Sequence, residues 1–163
     1  MLHTVYAVGV FDLFHMGHVE FLRRARAAGG PGARLVVGVV SDADAAWKRR
    51  PVMSAAERAE MVRACGGADE VIEGCPLVVT GEFLDARGIT LVVHGDDDRQ
   101  ETFFRVPIDR GIMRYVPYTR GVSTSASLAP LAARAGSGSA CGSPCGPPCG
   151  PPGGPPCGPL GGG

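Results

Sequence analysis

A chain of 163 residues can build one domain with a real core and is too short for two ordinary ones, so a single active site is expected. Its 16 Lys and Arg balance its 16 Asp and Glu, which removes the whole-molecule field that would hold it on nucleic acid or an anionic membrane. No run approaches the roughly 20 apolar residues of a membrane span, and the N-terminus enters a strand-like pattern without a basic or long apolar leader. A cytoplasmic protein without a nucleic-acid partner is the expectation.

Val5 to Val10 reads as a first strand and Leu35 to Val40 as a second, both nearly continuous apolar runs suited to burial on two faces. Between them Val19, Leu22 and Ala25 recur at helical spacing, and Gly29-Gly30 ends that crossover helix. Ser54 followed by Glu57 forms a capping-box pattern that starts a helix through Met61 and Val62. Asp69 to Ile72 then reads as a strand, Thr80 to Ala86 as a helix, and Leu91 to His94 as a strand. Thr102 to Arg110 fits a helix, Met113 to Val116 a fifth strand, and Ser123 to Ser125 the start of a last helix. The alternation predicts one α/β, Rossmann-like domain over 1–135 with a mainly parallel five-stranded sheet. Ligands in such sheets bind at the carboxyl ends of the strands.

From Gly136 onward the chain is built mainly of Gly, Pro, Ser and Cys, without a charged residue and with Leu160 as its one large aliphatic side chain. Such a segment cannot offset its ordering entropy by burial, so 136–163 is expected to be a disordered tail. Cys141, Cys145, Cys149 and Cys157 have no histidine beside them, and no protein metal site is assigned. Cys65 and Cys75 are expected to be reduced packing residues.

The chemistry is expected at His15-Met16-Gly17-His18, directly after the first strand and at the opening of the first helix. Two imidazoles separated by Met-Gly can face one point, and Gly17 lets a ligand approach closely. Free N–H groups and the positive dipole end of a helix favour a phosphate there. Donors from both rings would stabilise the added negative charge of a pentacoordinate phosphorus without a covalent intermediate. Taken alone the pair also suits exposed loop residues or zinc ligands; the glycine and the strand-to-helix setting favour the phosphate reading.

Gly9-Val10-Phe11-Asp12-Leu13-Phe14-His15-Met16-Gly17-His18 resembles the signature of the cytidylyltransferases that activate glycerol phosphate, phosphocholine and phosphoethanolamine, and the resemblance runs over about residues 4 to 128. Related adenylyltransferases usually carry a proline before the first histidine, where this chain has Asp12 and Leu13, a difference that favours cytidine. The resemblance implies transfer of CMP from CTP to a phosphorylated small alcohol, with Mg²⁺ on the triphosphate, in a homodimer. It implies catalytic roles for His15 and His18, and nucleotide contacts for Gly9, Val10, Phe11, Asp12 and Gly17. Ser41-Asp42, Lys48, Pro51-Val52-Met53 and Glu57-Arg58 resemble the family's lysine loop and following helix. By that resemblance Lys48 contacts the migrating phosphate, and Asp42 and Arg58 border the acceptor.

His94-Gly95-Asp96-Asp97 matches a segment that in the family borders both substrates, implying nucleotide contacts for His94, Gly95 and Asp96 and an acceptor contact for Asp97. Tyr118 to Ser125 resembles the family's Arg-Thr-x-Gly-Ile-Ser-Thr run, with Gly121, Ser123, Thr124 and Ser125 cradling the triphosphate. Tyr118 stands where the family has arginine, and Arg120 is the nearby cation expected to replace it. The rival readings are an ATP-dependent adenylyltransferase and a catalytically silent nucleotide-binding domain. Among acceptors phosphoethanolamine is expected over phosphocholine and glycerol 3-phosphate, because a primary ammonium needs hydrogen-bond acceptors that Asp96-Asp97-Asp98 can supply.

Overall fold

The computed structural model describes residues 3–47, 49–96, 101–117 and 119. Five strands alternate with helices: β1 (Thr4–Gly9), α1 (Met16–Ala28), β2 (Arg34–Val40), α2 (Asp42–Ala45), α3 (Ala55–Ala64), β3 (Glu70–Cys75), α4 (Gly81–Ala86), β4 (Leu91–Gly95), α5 (Arg105–Asp109) and β5 (Met113–Val116). Every strand pair is parallel, in the order β3-β2-β1-β4-β5. This is the expected α/β, Rossmann-like architecture.

The order dictates where the helices go. A right-handed crossover moving one way along a sheet lands on one face, and a crossover moving the other way lands on the opposite face. The path from β1 through β2 to β3 puts α1 and α3 on one face, and the path from β3 to β4 and β5 puts α4 and α5 on the other. Side chains alternate to match. Val5, Ala7, Leu35, Val37, Val39 and Val93 pack with Leu22 of α1 and Ala59 and Val62 of α3. Tyr6, Val8, Val36, Val40 and Val92 pack with Leu84 of α4 and Phe104 beside α5. Burial on both faces explains why β1 and β2 lack polar alternation.

Several boundaries differ from the sequence expectation. The capping box at α3 is present, Ser54 Oγ accepting from Glu57 N while Glu57 accepts from Ser54 N. β3 runs on to Cys75 through a register shift opposite Val39 and Val40. The helix expected over Thr102–Arg110 is confined to Arg105–Asp109, with 101–104 in turns; Phe104 gives no side-chain cap, and Pro107, lacking an N–H, fits only a first helical turn. The short α2, capped by Ser41, is too brief to show a period. The last helix expected at Ser123 and the tail expected over 136–163 lie outside the described residues. Cys75 is buried and Cys65 half-buried, both as free thiols, consistent with packing.

One glycine is required by the core. A Cβ on Gly38 would sit 2.1 Å from the Tyr6 hydroxyl oxygen and 2.8 Å from Cys75 Sγ. Tyr6 is fully buried against Phe83, so it cannot swing away cheaply. Gly38→Ala is expected to cost about 1–3 kcal/mol in urea denaturation, and Tyr6→Phe added to it should restore part of the loss. An unchanged midpoint for the single variant would mean that the β2 backbone gives way instead.

Candidate active site

β1 lies next to β2 on one side and β4 on the other, and the crossovers reverse direction between β1 and β4. Their carboxyl ends therefore open on the crevice where α/β sheets take ligands. From β1 the chain makes a tight turn in which Phe11 (φ 55°) and Leu13 (φ 47°) both adopt left-handed backbone on either side of Asp12. Such residues cost on the order of 1–3 kcal/mol each and persist only when their surroundings hold them. Phe11 is held by burial among Phe14, Phe21 and His18.

The histidines themselves start α1. His15 is the N-cap, its Nδ1 accepting from Gly17 N at 3.1 Å, and His18 Nδ1 accepts in return from His15 N at 3.3 Å. Imidazoles thus form the reciprocal capping box usually made by Ser or Thr with Glu. An Nδ1 that accepts cannot carry a proton, so each neutral ring holds its hydrogen on Nε2. The rings stack with centroids 3.9 Å apart and planes 18° apart, which sets two N–H donors side by side at a helix N-terminus. Burial lowers the pKa of both; for His18, burial first and the His15 ring second bring it to about 4, against an opposing pull from Asp12. At neutral pH the pair donates hydrogen bonds without bearing charge.

Asp12 is turned inward, only 3% exposed. Its carboxylate accepts from the backbone of Val52 and Met53, each at 3.1 Å, and pairs with Arg49 at 3.2 Å. The carboxylate of Asp12, a residue to which the resemblance assigns a nucleotide contact, is engaged by the segment that follows α2. Arg58 is likewise engaged by the protein. Its guanidinium is fully buried and donates to the carbonyls of Met53, Val10 and Val40 and to Asp42 Oδ1. Val10 lies just past the end of β1, Val40 at the end of β2 and Met53 in the loop before α3, and a five-donor fork satisfies several carbonyls at once. Asp42, whose carboxyl is held below its usual range chiefly by the Arg58 hydrogen bond, keeps a side chain 56% exposed toward solvent.

The other expected residues are placed as follows. Gly9 ends β1 and Val10 follows it, Gly17 is buried in the first turn of α1, and a Cβ on Gly9 would lie 3.2 Å from the Phe11 ring. His94 is in β4 with its ring 4.9 Å from that of Phe104 and Nδ1 3.0 Å from the Gly95 carbonyl. Gly95 is buried, and the exposed Asp96 donates its backbone N–H to Val116. Lys48, Asp97, Arg120, Gly121, Ser123, Thr124 and Ser125 lie outside the described residues. Among the described residues no cluster of three or more His, Cys, Asp or Glu could hold a metal ion. No described helix is long and apolar enough to cross a membrane. A depression of about 510 Å³ lined by Arg23, Arg26, Arg34 and Asp69 lies at the far end of α1. Its arginines are engaged by Glu20, Asp69 and Glu70.

A family model described as cytidylyltransferase-like matches residues 6–125. The chain belongs to the cytidylyltransferase-like family. It is 42% identical over 127 residues to an ethanolamine-phosphate cytidylyltransferase of Dictyostelium discoideum, covering 74% of this chain and 34% of that protein. An Arabidopsis thaliana protein of the same name is 42% identical over 131 residues, 74% of this chain and 30% of its own length. A probable choline-phosphate cytidylyltransferase of Schizosaccharomyces pombe is 40% identical, covering 74% of this chain and 34% of that protein. This cytidylyltransferase-like chain spans about a third of the length of these relatives.

Among solved structures, a lipopolysaccharide core biosynthesis protein from Thermoplasma volcanium has a TM-score of 0.58 at 24% identity, covering 73% of this chain and 98% of that one. A protein of unknown function from Archaeoglobus fulgidus has a TM-score of 0.52 at 21% identity, covering 74% and 93%. Both likenesses concern the fold.

Two consequences are measurable. Arg58→Leu would orphan the buried Val40 carbonyl and the part-buried carbonyls of Val10 and Met53, each costing about 1–3 kcal/mol, so the variant should lose about 3 kcal/mol or more in urea denaturation. A loss under 1 kcal/mol would mean that water replaces the guanidinium. For His18 the folded pKa, about 4, lies below the ordinary 6.5. The unfolded chain therefore binds the proton first as pH falls, and stability contributed by this ring is lost between 6.5 and 4. Ring-proton NMR should give a midpoint near 4, and a midpoint at 6 or above would sink the neutral-donor assignment.

Proposed function

We propose that this cytidylyltransferase-like domain transfers CMP from CTP to a small phosphorylated alcohol, with phosphoethanolamine the favoured acceptor. An ionised acceptor phosphate oxygen attacks the α-phosphorus of CTP in line, the bond to the bridging oxygen breaks, and pyrophosphate leaves. The observation that carries this reading is the stacked pair of neutral imidazoles at the start of α1. Charge that develops on phosphoryl oxygens needs fixed donors more than a base. A nucleophile that is already ionised has no proton to give, which suits rings that stay neutral and cannot accept one on Nδ1.

Lys48 is assigned to the migrating phosphate by resemblance, with Arg120, Gly121 and Ser123 to Ser125 on the triphosphate. Mg²⁺ is taken as substrate-borne, offsetting charge on the leaving pyrophosphate; Asp12, three residues before His15, is engaged by the protein, which suits an ion carried by CTP. Phosphoethanolamine is favoured by relatives named for it and by the exposed Asp42 and Asp96, which offer acceptors to a primary ammonium. A cytoplasmic homodimer belongs to the same proposal and rests on resemblance.

A second acceptor has an observation of its own. Trp47, 52% exposed, lies edge-on to Phe103 at 5.5 Å, and aromatic faces suit a quaternary ammonium. Phosphocholine is therefore the alternative, in line with the S. pombe relative's name.

Pyrophosphate release with CTP against ATP, across phosphoethanolamine, phosphocholine and glycerol 3-phosphate, tests the proposal. CTP with phosphoethanolamine should give the highest kcat/KM, and a preference for ATP would replace cytidylyl by adenylyl transfer. Release with neither nucleotide would leave a silent binding domain. His18→Ala should lower kcat about 10²–10³-fold and cost only about 1 kcal/mol of stability through the lost cap. Equal turnover by a destabilised variant would make His18 a packing residue.

A further inference from the structure

The strained turn that presents the histidines is tied to a segment 40 residues away through one side chain. Asp12 sits between Phe11 and Leu13, the only non-glycine residues with positive φ among those described. Its carboxylate takes the N–H groups of Val52 and Met53 and the guanidinium of Arg49. The carbonyl of the same Met53 is held by Arg58, which also holds the carbonyl of Val10. The peptide groups of 52–53 and 10–12 are thus clamped to each other from both sides, at an Asp12 that is itself buried. Phe11 packs on His18 and Phe21 of α1, and the clamp adds a second constraint, from across the loop, on how the first turn leaves β1.

We propose that Asp12 is a positioning residue, locking the turn that aims the His15 and His18 donors to the segment carrying Arg49 and Arg50. It acts through the histidines and does not touch the nucleotide. The idea rests on the phosphoryl-transfer reading of that pair. Removing the clamp lets the turn relax toward ordinary backbone, and the reciprocal contacts of His15 N with His18 Nδ1 and of Gly17 N with His15 Nδ1 loosen with it.

The test uses the full chain with Asp12→Asn, whose carboxamide nitrogen faces N–H groups that need an acceptor. Side-chain ¹⁵N NMR of the substrate-free protein reads the tautomers directly. The unaltered protein should show both rings fixed with hydrogen on Nε2, and the variant should show averaged ¹⁵N shifts. In turnover, kcat should fall tenfold or more while KM for CTP moves less than threefold.

Fixed tautomers with unchanged kcat would overturn the proposal and leave Asp12 a stability element. A tenfold rise in KM for CTP at unchanged kcat would overturn it in favour of a nucleotide contact. Should Asp12→Asn fail to fold, Arg49→Met removes one partner from a side chain 42% exposed and is read by the same two measurements, with a two- to fivefold loss of kcat expected. If the unaltered chain transfers to no acceptor, the phosphoryl-transfer reading falls while the tautomer measurement still decides the clamp.

Discussion

A strand that ends at the reversal point of a parallel sheet leaves its last carbonyls, and the first amides of the helix that follows, without regular partners. Much of the arrangement around residues 9–18 answers that shortage. The carbonyl of Val10 goes to Arg58, which collects Val40 from the neighbouring strand end at the same time. The amides of His15 and Gly17 go to the two imidazoles. Val52 and Met53, brought in by α3, find theirs in Asp12. Each polar side chain that the resemblance assigns to substrates in this region also has a backbone group to satisfy.

That double duty has a chemical consequence. A serine or threonine cap would satisfy the same amides and leave nothing over. A histidine cap spends Nδ1 on the backbone and retains Nε2–H, so the hydrogen bond that starts the helix also selects the tautomer. Protonating Nδ1 would break the cap, and stacking a second cation 3.9 Å away would be repulsive. Both effects act in the same direction as burial, keeping the rings neutral. Helix initiation and donor preparation are one interaction here.

How much was legible in the sequence follows the range of each interaction. The Ser54–Glu57 capping box, the bounds of β5 and the two-face burial of β1 and β2 come from neighbours within a few residues, and the pattern displays them. The place of His15 at a helix start was readable for the same reason. The capping partnership of the rings was not, because His is not an ordinary capping residue. Arg58 and Asp12 could not be assigned from local pattern, since all their partners except Met53 for Arg58 lie 16 to 48 residues away in sequence. An arginine on a helix reads as exposed, and only the convergence of two strand ends and a loop makes it a buried brace. α5 fell short of its expected span because its pattern could not show that Phe104 turns into the core.

The crevice has two walls with different origins. The histidine wall belongs to the α1 and α3 face, where Phe11, Phe14 and Phe21 pack around His18. The other wall belongs to the α4 and α5 face, where Trp47 meets Phe103 and His94 meets Phe104. Strand β1 separates them. A change in Trp47 or Phe103 would therefore pass into the second core cluster and leave the capping box untouched. Under the proposed reaction the phosphoryl chemistry is common to all acceptors and only the ammonium head differs, so acceptor choice can vary on one wall without cost to catalysis on the other. Relatives named for ethanolamine phosphate and for choline phosphate stand at 42% and 40% identity to this chain. That near equality is what a specificity lodged in a few side chains would leave behind, since a difference confined to one wall changes overall identity very little.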